Sequence, residues 1–178
     1  MKEFYGERDI LDHLDYIDDS YASMPKDCHA LKPFRKDIRH ALATTATNTF
    51  VLVATEKGKP TGIAVATKKN LPPMCLFVEI LCTSRTCTGA GRMLMEHLMT
   101  VGLKLRTPYI CLEAVKTSVP FYERLGFSHT HPAKPNTVSP NKKKKVAFMT
   151  VNVLWYFTCW LKVHLSSKDK AVIVKEMV

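Results

Sequence analysis

The stretch Thr86–Leu98, TCTGAGRMLMEHL, sets Gly89 and Gly91 one residue apart at the head of an apolar, methionine-rich run. A Gly-x-Gly turn that opens a helix points unpaired backbone N–H groups and the positive helix end at one spot, which suits a phosphate or pyrophosphate. Thr88, Ala90 and Arg92 flank those glycines. The turn lacks the Gly-Lys-Ser/Thr ending of a Walker loop, and Leu94 stands where a dinucleotide fingerprint has its third glycine. Two glycines so placed also suit a tight turn that lets two elements pack closely, and at this level both readings stand. His129 and His131, two apart, would share one strand face, but they lack a third ligand and no metal is expected. The six cysteines, at 28, 75, 82, 87, 111 and 159, form neither a CxxC pair nor a Cys/His zinc spacing, so reduced thiols are expected.

The elements around these residues follow from hydrophobic spacing. Ile10, Leu11, Leu14, Ile17 and Tyr21 recur at helical intervals with aspartates between them, so residues 7–23 read as an amphipathic helix ended by Pro25. Phe34, Ile38 and Leu42 predict a second helix over Pro33–Ala43. TFVLVAT and GIAVAT on either side of EKGKP read as a hairpin, and MCLFVEILCT as a central strand. Leu94, Leu98, Val101 and Leu105 stripe one face of a helix from about Ala90 to Leu105. PYICLEAV is a strand, SVPFYERLG a short helix closed by Gly126, and KVAFMTVNV a last strand. HPAKPNTVSPNKKKK, between the last two, reads as an exposed loop whose Lys142–Lys145 run attracts anions with low specificity. The order predicts a single mixed three-layer α/β domain.

A chain of 178 residues with 46% apolar content can bury a core, and its formal charge of +10 suits an anionic partner. The charge is unevenly spread: Glu3, Glu7, Asp9, Asp12, Asp15, Asp18 and Asp19 face only Lys2 and Arg8 in the first nineteen residues. The opening residues show no charged n-region followed by an apolar h-region, so a cytoplasmic protein is expected. Thr150, Asn152 and Thr158 interrupt the apolar run from Val146 to Leu161, which argues against a membrane span and a membrane partner.

ILCTSRTCTGAGRMLMEHL, followed some thirty residues later by SVPFYERLGF, resembles the GCN5-related N-acetyltransferase (GNAT) family over roughly residues 50–153. The wording ILCT…GAG looks most like acetyltransferases of large DNA viruses, for which the location would be the host cytoplasm. The resemblance implies a GNAT-like fold with a mixed, mostly antiparallel central sheet flanked by helices. It divides the chain into an acetyltransferase domain, residues 1–153, and a C-terminal extension, 154–178, read as an extra packed segment or a dimer contact. The implied cosubstrate is acetyl-CoA. Gly89, Ala90 and Gly91 would hold its pyrophosphate with Thr88 and Arg92 alongside, and Leu81, Cys82 and Thr83 would supply the backbone facing the pantetheine arm and the oxyanion. Tyr122 would be the general acid. Two departures stand out: Thr86 occupies the family's Gln/Arg position with Arg85 one place early, and Ser118 replaces an alanine.

Acetyl transfer to an amine needs a base for the ammonium proton, donors for the oxyanion and a proton for the leaving thiolate. Glu79, the only acid in its strand run, lies two residues before Leu81 and by alternation would share its side, with Glu113 in the next strand as rival. Direct transfer is favoured over an acyl-cysteine route through Cys82 or Cys87, since no partner histidine can be placed. The acidic first helix favours a cationic amine as acceptor, for a monomer or homodimer. The competing expectation is a catalytically inactive module of the same fold that binds an acidic partner or, less favoured, nucleic acid.

Overall fold

The computed structural model describes residues 1–25, 48–70, 74–84, 86–129 and 146–157. The helix expected over 33–43, Arg85, the loop 131–145 with its lysine run, and residues beyond 157 lie outside them. Strand β1 (Lys2–Tyr5) is followed by helices α1 (Glu7–Asp12) and α2 (Leu14–Ala22), then strands β2 (Thr49–Glu56), β3 (Lys59–Lys69) and β4 (Cys75–Thr83). Helix α3 (Ala90–Lys104), β5 (Tyr109–Val115), α4 (Val119–Arg124), β6 (Ser128–His129) and β7 (Val146–Asn152) complete the order.

The strands form one sheet in the order β1-β2-β3-β4-β5-β7-β6. Every neighbouring pair is antiparallel except β4 and β5, which run parallel. The β2–β3 hairpin turns at Lys57 and Gly58, both at positive φ (49° and 77°), as a two-residue turn that follows the sheet's twist requires. Helix α3 covers one face. Its Leu94, Met95, Leu98 and Met99 are fully buried against Leu52, Ala64, Leu76 and Ile110. Each such side chain contributes about 1.5–3 kcal/mol by leaving water. Helices α1 and α2 cover the other face at its β1–β4 end, where Ile10, Ile17 and Tyr21 pack on Val51, Val53, Ile63 and Ile80. The three-layer α/β expectation holds.

Several local expectations do not. The single helix read over 7–23 breaks at His13, whose φ of −115° lies outside helical range. Its ring nitrogen Nδ1 lies 2.9 Å from the Asp9 carbonyl oxygen, and the break leaves Leu11 45% exposed. Ile10 in the first helix and Ile17 in the second are both fully buried against the sheet on either side of the break. Strands β1 and β6 carry no sequence signal: β1 is a four-residue edge with only Phe4 buried, and β6 spans two residues. Reduced thiols hold for Cys75, Cys87 and Cys111, but Cys82 is disulfide-bonded, a pairing that tertiary proximity decides and strand spacing does not reveal.

Past the last strand the chain turns helical over 153–157. Tyr156 and Phe157 pack on the α3-side core, and the Trp155 ring approaches Gly126 so closely that a Cβ there would lie 3.1 Å from it. None of the described helices is long and apolar enough to cross a membrane.

Candidate functional site

A cavity of about 300 Å³ opens where β4, the glycine turn and α4 meet, near the lower size of small-molecule sites. Leu81 and Thr83 line it from β4, Cys87, Gly89, Gly91 and Arg92 from the turn and first helical residues, and Ser118, Phe121 and Tyr122 from the segment around α4.

The two glycines serve different ends. Gly89 is the N-cap of α3 in the left-handed conformation (φ 93°), and among the described residues no atom lies within 4 Å of where a Cβ would stand and no side chain caps the helix. The first-turn N–H groups of α3 therefore carry no side-chain cap, and the space beside Gly89 is open on the cavity side. No acidic side chain occupies that first turn. At Gly91 a Cβ would lie 3.4 Å from Phe121 Cζ and from Thr83 Cγ2, so this glycine lets α3 sit close to β4 and α4. Close packing, one of the two readings open from the sequence, is met at Gly91, while Gly89 leaves open space at the cavity.

Thr86, in the expected donor position, is exposed and pairs with its near neighbour: its Oγ1 is 2.8 Å from Ser84 Oγ, and its backbone N–H donates to the same oxygen at 3.3 Å. Arg92 donates from Nε to Glu96 Oε1 at 2.8 Å, and this carboxylate one turn along raises the guanidinium's pKa. Tyr156 Oη also donates to Glu96 Oε1, at 3.5 Å. Thr88, Ala90 and Cys82 do not line the cavity; Ala90 is buried in the first turn of α3, and Cys82 is buried among the residues facing α1 and α2.

Tyr122 is held by a Schellman ending of α4: Phe127 N–H donates to its carbonyl at 3.1 Å, and Gly126 N–H, at φ 84°, donates to that of Glu123 at 2.9 Å. Its ring packs edge-on to Phe121 and Phe127. Burial pushes the phenol up to about 12, so it carries its proton throughout the neutral range. It is both a core aromatic and a cavity wall. Phe121, its chain neighbour, is a lining residue that sequence reasoning missed; its position in the SVPFYERLG helix, one residue from Tyr122, was the available signal.

Glu79 is elsewhere, and strand alternation fails there. Val65 pairs with Ile80 but Ala66 pairs with Val78, so Glu79 is the extra residue of a β-bulge. Before it, Leu76 and Val78 face α3; after it, Leu81 and Thr83 do. Glu79 therefore lies on the face opposite Leu81, together with Phe77. There its carboxylate is 2.8 Å from Lys69 Nζ, which in turn sits 3.8 Å above the Phe77 ring. The parallel pairing of β4 with β5 ends at Val78–Leu112, so Glu79 is also the first β4 residue past the point where the two strands part. Glu113, the rival, is exposed and paired across the sheet with Phe148.

No group of three or more His, Cys, Asp or Glu side chains that could hold a metal occurs among the described residues. His129 Nε2 lies 3.4 Å from Glu123 Oε1; His131 is outside the described residues. Among the described residues that line the cavity none is a histidine, so none of them gives Cys87 an imidazole base.

A protein-family model described as an acetyltransferase (GNAT) domain matches residues 15–138. Among solved structures, the aminoglycoside 6'-N-acetyltransferase from Enterococcus faecium aligns at a TM-score of 0.62 and 14% identity, covering 86% of this chain and 97% of that one. An aminoglycoside 6'-N-acetyltransferase complexed with coenzyme A aligns at 0.62 and 12% identity, with the same coverages of 86% and 97%. Tetrahymena GCN5 aligns at 0.53 and 14% identity, covering 82% of this chain and 89% of that one. At these identities the likeness is one of fold. Among curated proteins no sequence match is found.

Proposed function

The chain belongs to the GNAT acetyltransferase family, and we propose that it transfers the acetyl group of acetyl-CoA directly to a primary amine. The observation that carries this reading is the pairing of an open, uncapped Gly89 cradle with a protonated Tyr122 in one cavity, beside the place where β4 and β5 part. The residues fit the donor: the α3 first-turn N–H groups and Arg92 suit its pyrophosphate, and the β4 backbone at Leu81–Thr83 suits its amide-bearing arm. Acetyl-CoA supplies the activated acyl group. That one structural relative was crystallised with coenzyme A is in keeping with this.

In this reading the two faces of the sheet divide the work. The cavity on the α3 side takes the donor, with Tyr122 placed to donate a hydrogen bond to the departing sulfur. The gap between β4 and β5 opens toward the other face, where Glu79 takes the proton of the incoming amine. The parted β4 backbone offers N–H groups to the oxyanion. Cationic acceptors fit the charge of that face's first helices, where Asp12, Asp15 and Asp19 are exposed. If this field steers the acceptor, kcat/KM for a cationic amine should fall with rising salt, as the screening length contracts from about 10 Å at 0.1 M to about 3 Å at 1 M. A salt-independent kcat/KM, measured beside a neutral amine, would remove steering from the account.

One observation favours the second reading, an inactive module of the same fold. Thr86, where the family has Gln or Arg, turns its hydroxyl to Ser84, so one phosphate donor is lacking. Calorimetry with acetyl-CoA separates the two, since absence of binding at millimolar ligand would sink the enzyme reading. A screen of polyamines, aminoglycosides and lysine peptides for CoA release then identifies the acceptor.

The cradle itself has its own test. Gly89→Val should weaken acetyl-CoA binding at least about tenfold, because valine is strained at positive φ and its methyl groups fill the space that phosphate oxygens need. The open space around Gly89 predicts that the fold survives, and an unchanged thermal midpoint with an unchanged dissociation constant would refute the placement.

A further inference from the structure

We propose that Lys69 is an acetyl acceptor built into the chain itself: its amine stands at the mouth of the β4–β5 gap, against the carboxylate that would take an acceptor's proton. This inference rests on the acetyl-transfer reading above.

Lys69 ends β3, paired with Cys75 at the start of β4. Its side chain runs back along β4, passes its Nζ over the Phe77 ring at 3.8 Å and stops 2.8 Å from Glu79 Oε1. The last β4–β5 pair is Val78–Leu112, one residue short of Glu79, so the carboxylate that holds the amine belongs to the first β4 residue past the point where the strands part. An aromatic face and a carboxylate are what an enzyme for cationic amines would present to its substrate, and here both are presented to a primary amine of the same molecule. The lysine side chain is one-third exposed (34%), so its stem has room to move. Lys68, its chain neighbour, is paired with Leu76, a core residue on the α3 side, and points to the other face.

The step balances with acetyl-CoA as the only co-reactant. The Lys69 ammonium gives one proton to Glu79, and the freed lone pair attacks the thioester carbonyl carbon. The C–N bond forms and the C–S bond breaks. The nitrogen's second proton is lost as the thiolate gains one, leaving Nζ-acetyl-lysine and the CoA thiol, while Glu79 returns its proton to solvent. The acetylated side chain is neutral and no longer pairs with Glu79, which leaves that carboxylate to an external amine.

The full chain, incubated with acetyl-CoA near neutral pH and followed by intact mass and peptide mapping, should gain one acetyl group at Lys69. The rate should exceed that at Lys68 by at least about tenfold, the least that an intramolecular amine beside a base contributes. It should not change with protein concentration, because donor and acceptor sit in one molecule. Lys69→Arg keeps the charge over Phe77 and beside Glu79 and should abolish the fast acetylation. Glu79→Gln should slow it at least about tenfold while calorimetry still shows acetyl-CoA bound. Bound acetyl-CoA with Lys69 and Lys68 modified at equal rates, or a rate that scales with protein concentration, would overturn the inference and leave the acetyl-transfer reading standing. Absence of acetyl-CoA binding would overturn both.

Discussion

Tyr122→Phe is expected to lower acetyl-transfer turnover by about 10²–10⁴-fold, the usual effect of removing a positioned proton donor, while leaving acetyl-CoA affinity nearly unchanged. The ring packs edge-on to Phe121 and Phe127 with or without its hydroxyl, so the cavity wall stays in place. Burial raises the phenol to about 12, above both the ordinary tyrosine value of about 10 and a thiol's of about 8.5. Full proton transfer to a finished thiolate is therefore uphill, and in the proposed reaction Tyr122 would act best as a hydrogen-bond donor while charge builds on sulfur. The phenol stays protonated until the pH rises through about 12, so Tyr122 gives the turnover profile no alkaline limb below pH 11. Stability follows the same sign: its share is fully present below pH 10 and declines toward pH 12, as the unfolded chain ionises first. By pH 11 that loss is on the order of 1 kcal/mol, and the phenylalanine variant lacks it. Wild-type turnover in the variant would make Tyr122 a core aromatic and nothing more.

The parts of this molecule that were legible in the sequence are those decided by neighbours along the chain. Leu94, Leu98 and Val101 recur at the interval of one buried helix face, and α3 runs where they place it. Lys57–Gly58 between two β-branched runs specifies a turn with two positive φ values, and the hairpin forms there. Gly126 closes α4 because only a residue free to take φ 84° fits the Schellman geometry, and Trp155 fills the space a side chain would need. What stayed hidden depends on distant partners. The bulge at Glu79 is a property of the β3–β4 register, and it reverses which residues of β4 face the cavity. The edge strand β1 owes its place to pairing with β2 and to a 2.9 Å contact of Glu3 with His97 on α3, neither visible in four residues. The two glycines of the turn differ because Gly89 faces open space at the cavity while Gly91 meets Phe121 and Thr83, a difference set by α4 and β4 and not by the turn's own sequence.

The bulge also decides how a variant of Glu79 should behave. Glu79→Gln keeps the side chain's size and removes its basicity, so turnover with a lysine-type amine should fall by about 10²–10⁴-fold. Acetyl-CoA affinity should hold, because Glu79 sits on the face opposite Leu81 and Thr83 and does not line the cavity proposed for the donor. Glu113→Gln should remain near wild type, since that exposed carboxylate is one strand away and faces Phe148 across the sheet. The variant also leaves the Lys69 ammonium with the Phe77 ring but no carboxylate, so a drop in turnover alone does not separate a base from a structural partner. Acceptor basicity does. An alkylamine with a pKa of about 10.4 must lose a proton to become a nucleophile, whereas an analogue with an electron-withdrawing neighbour is already largely neutral at pH 7. If Glu79 removes that proton, the defect should shrink steeply for the less basic analogue. A structural partner lost would instead slow both acceptors alike, and that outcome would return the general base to another group.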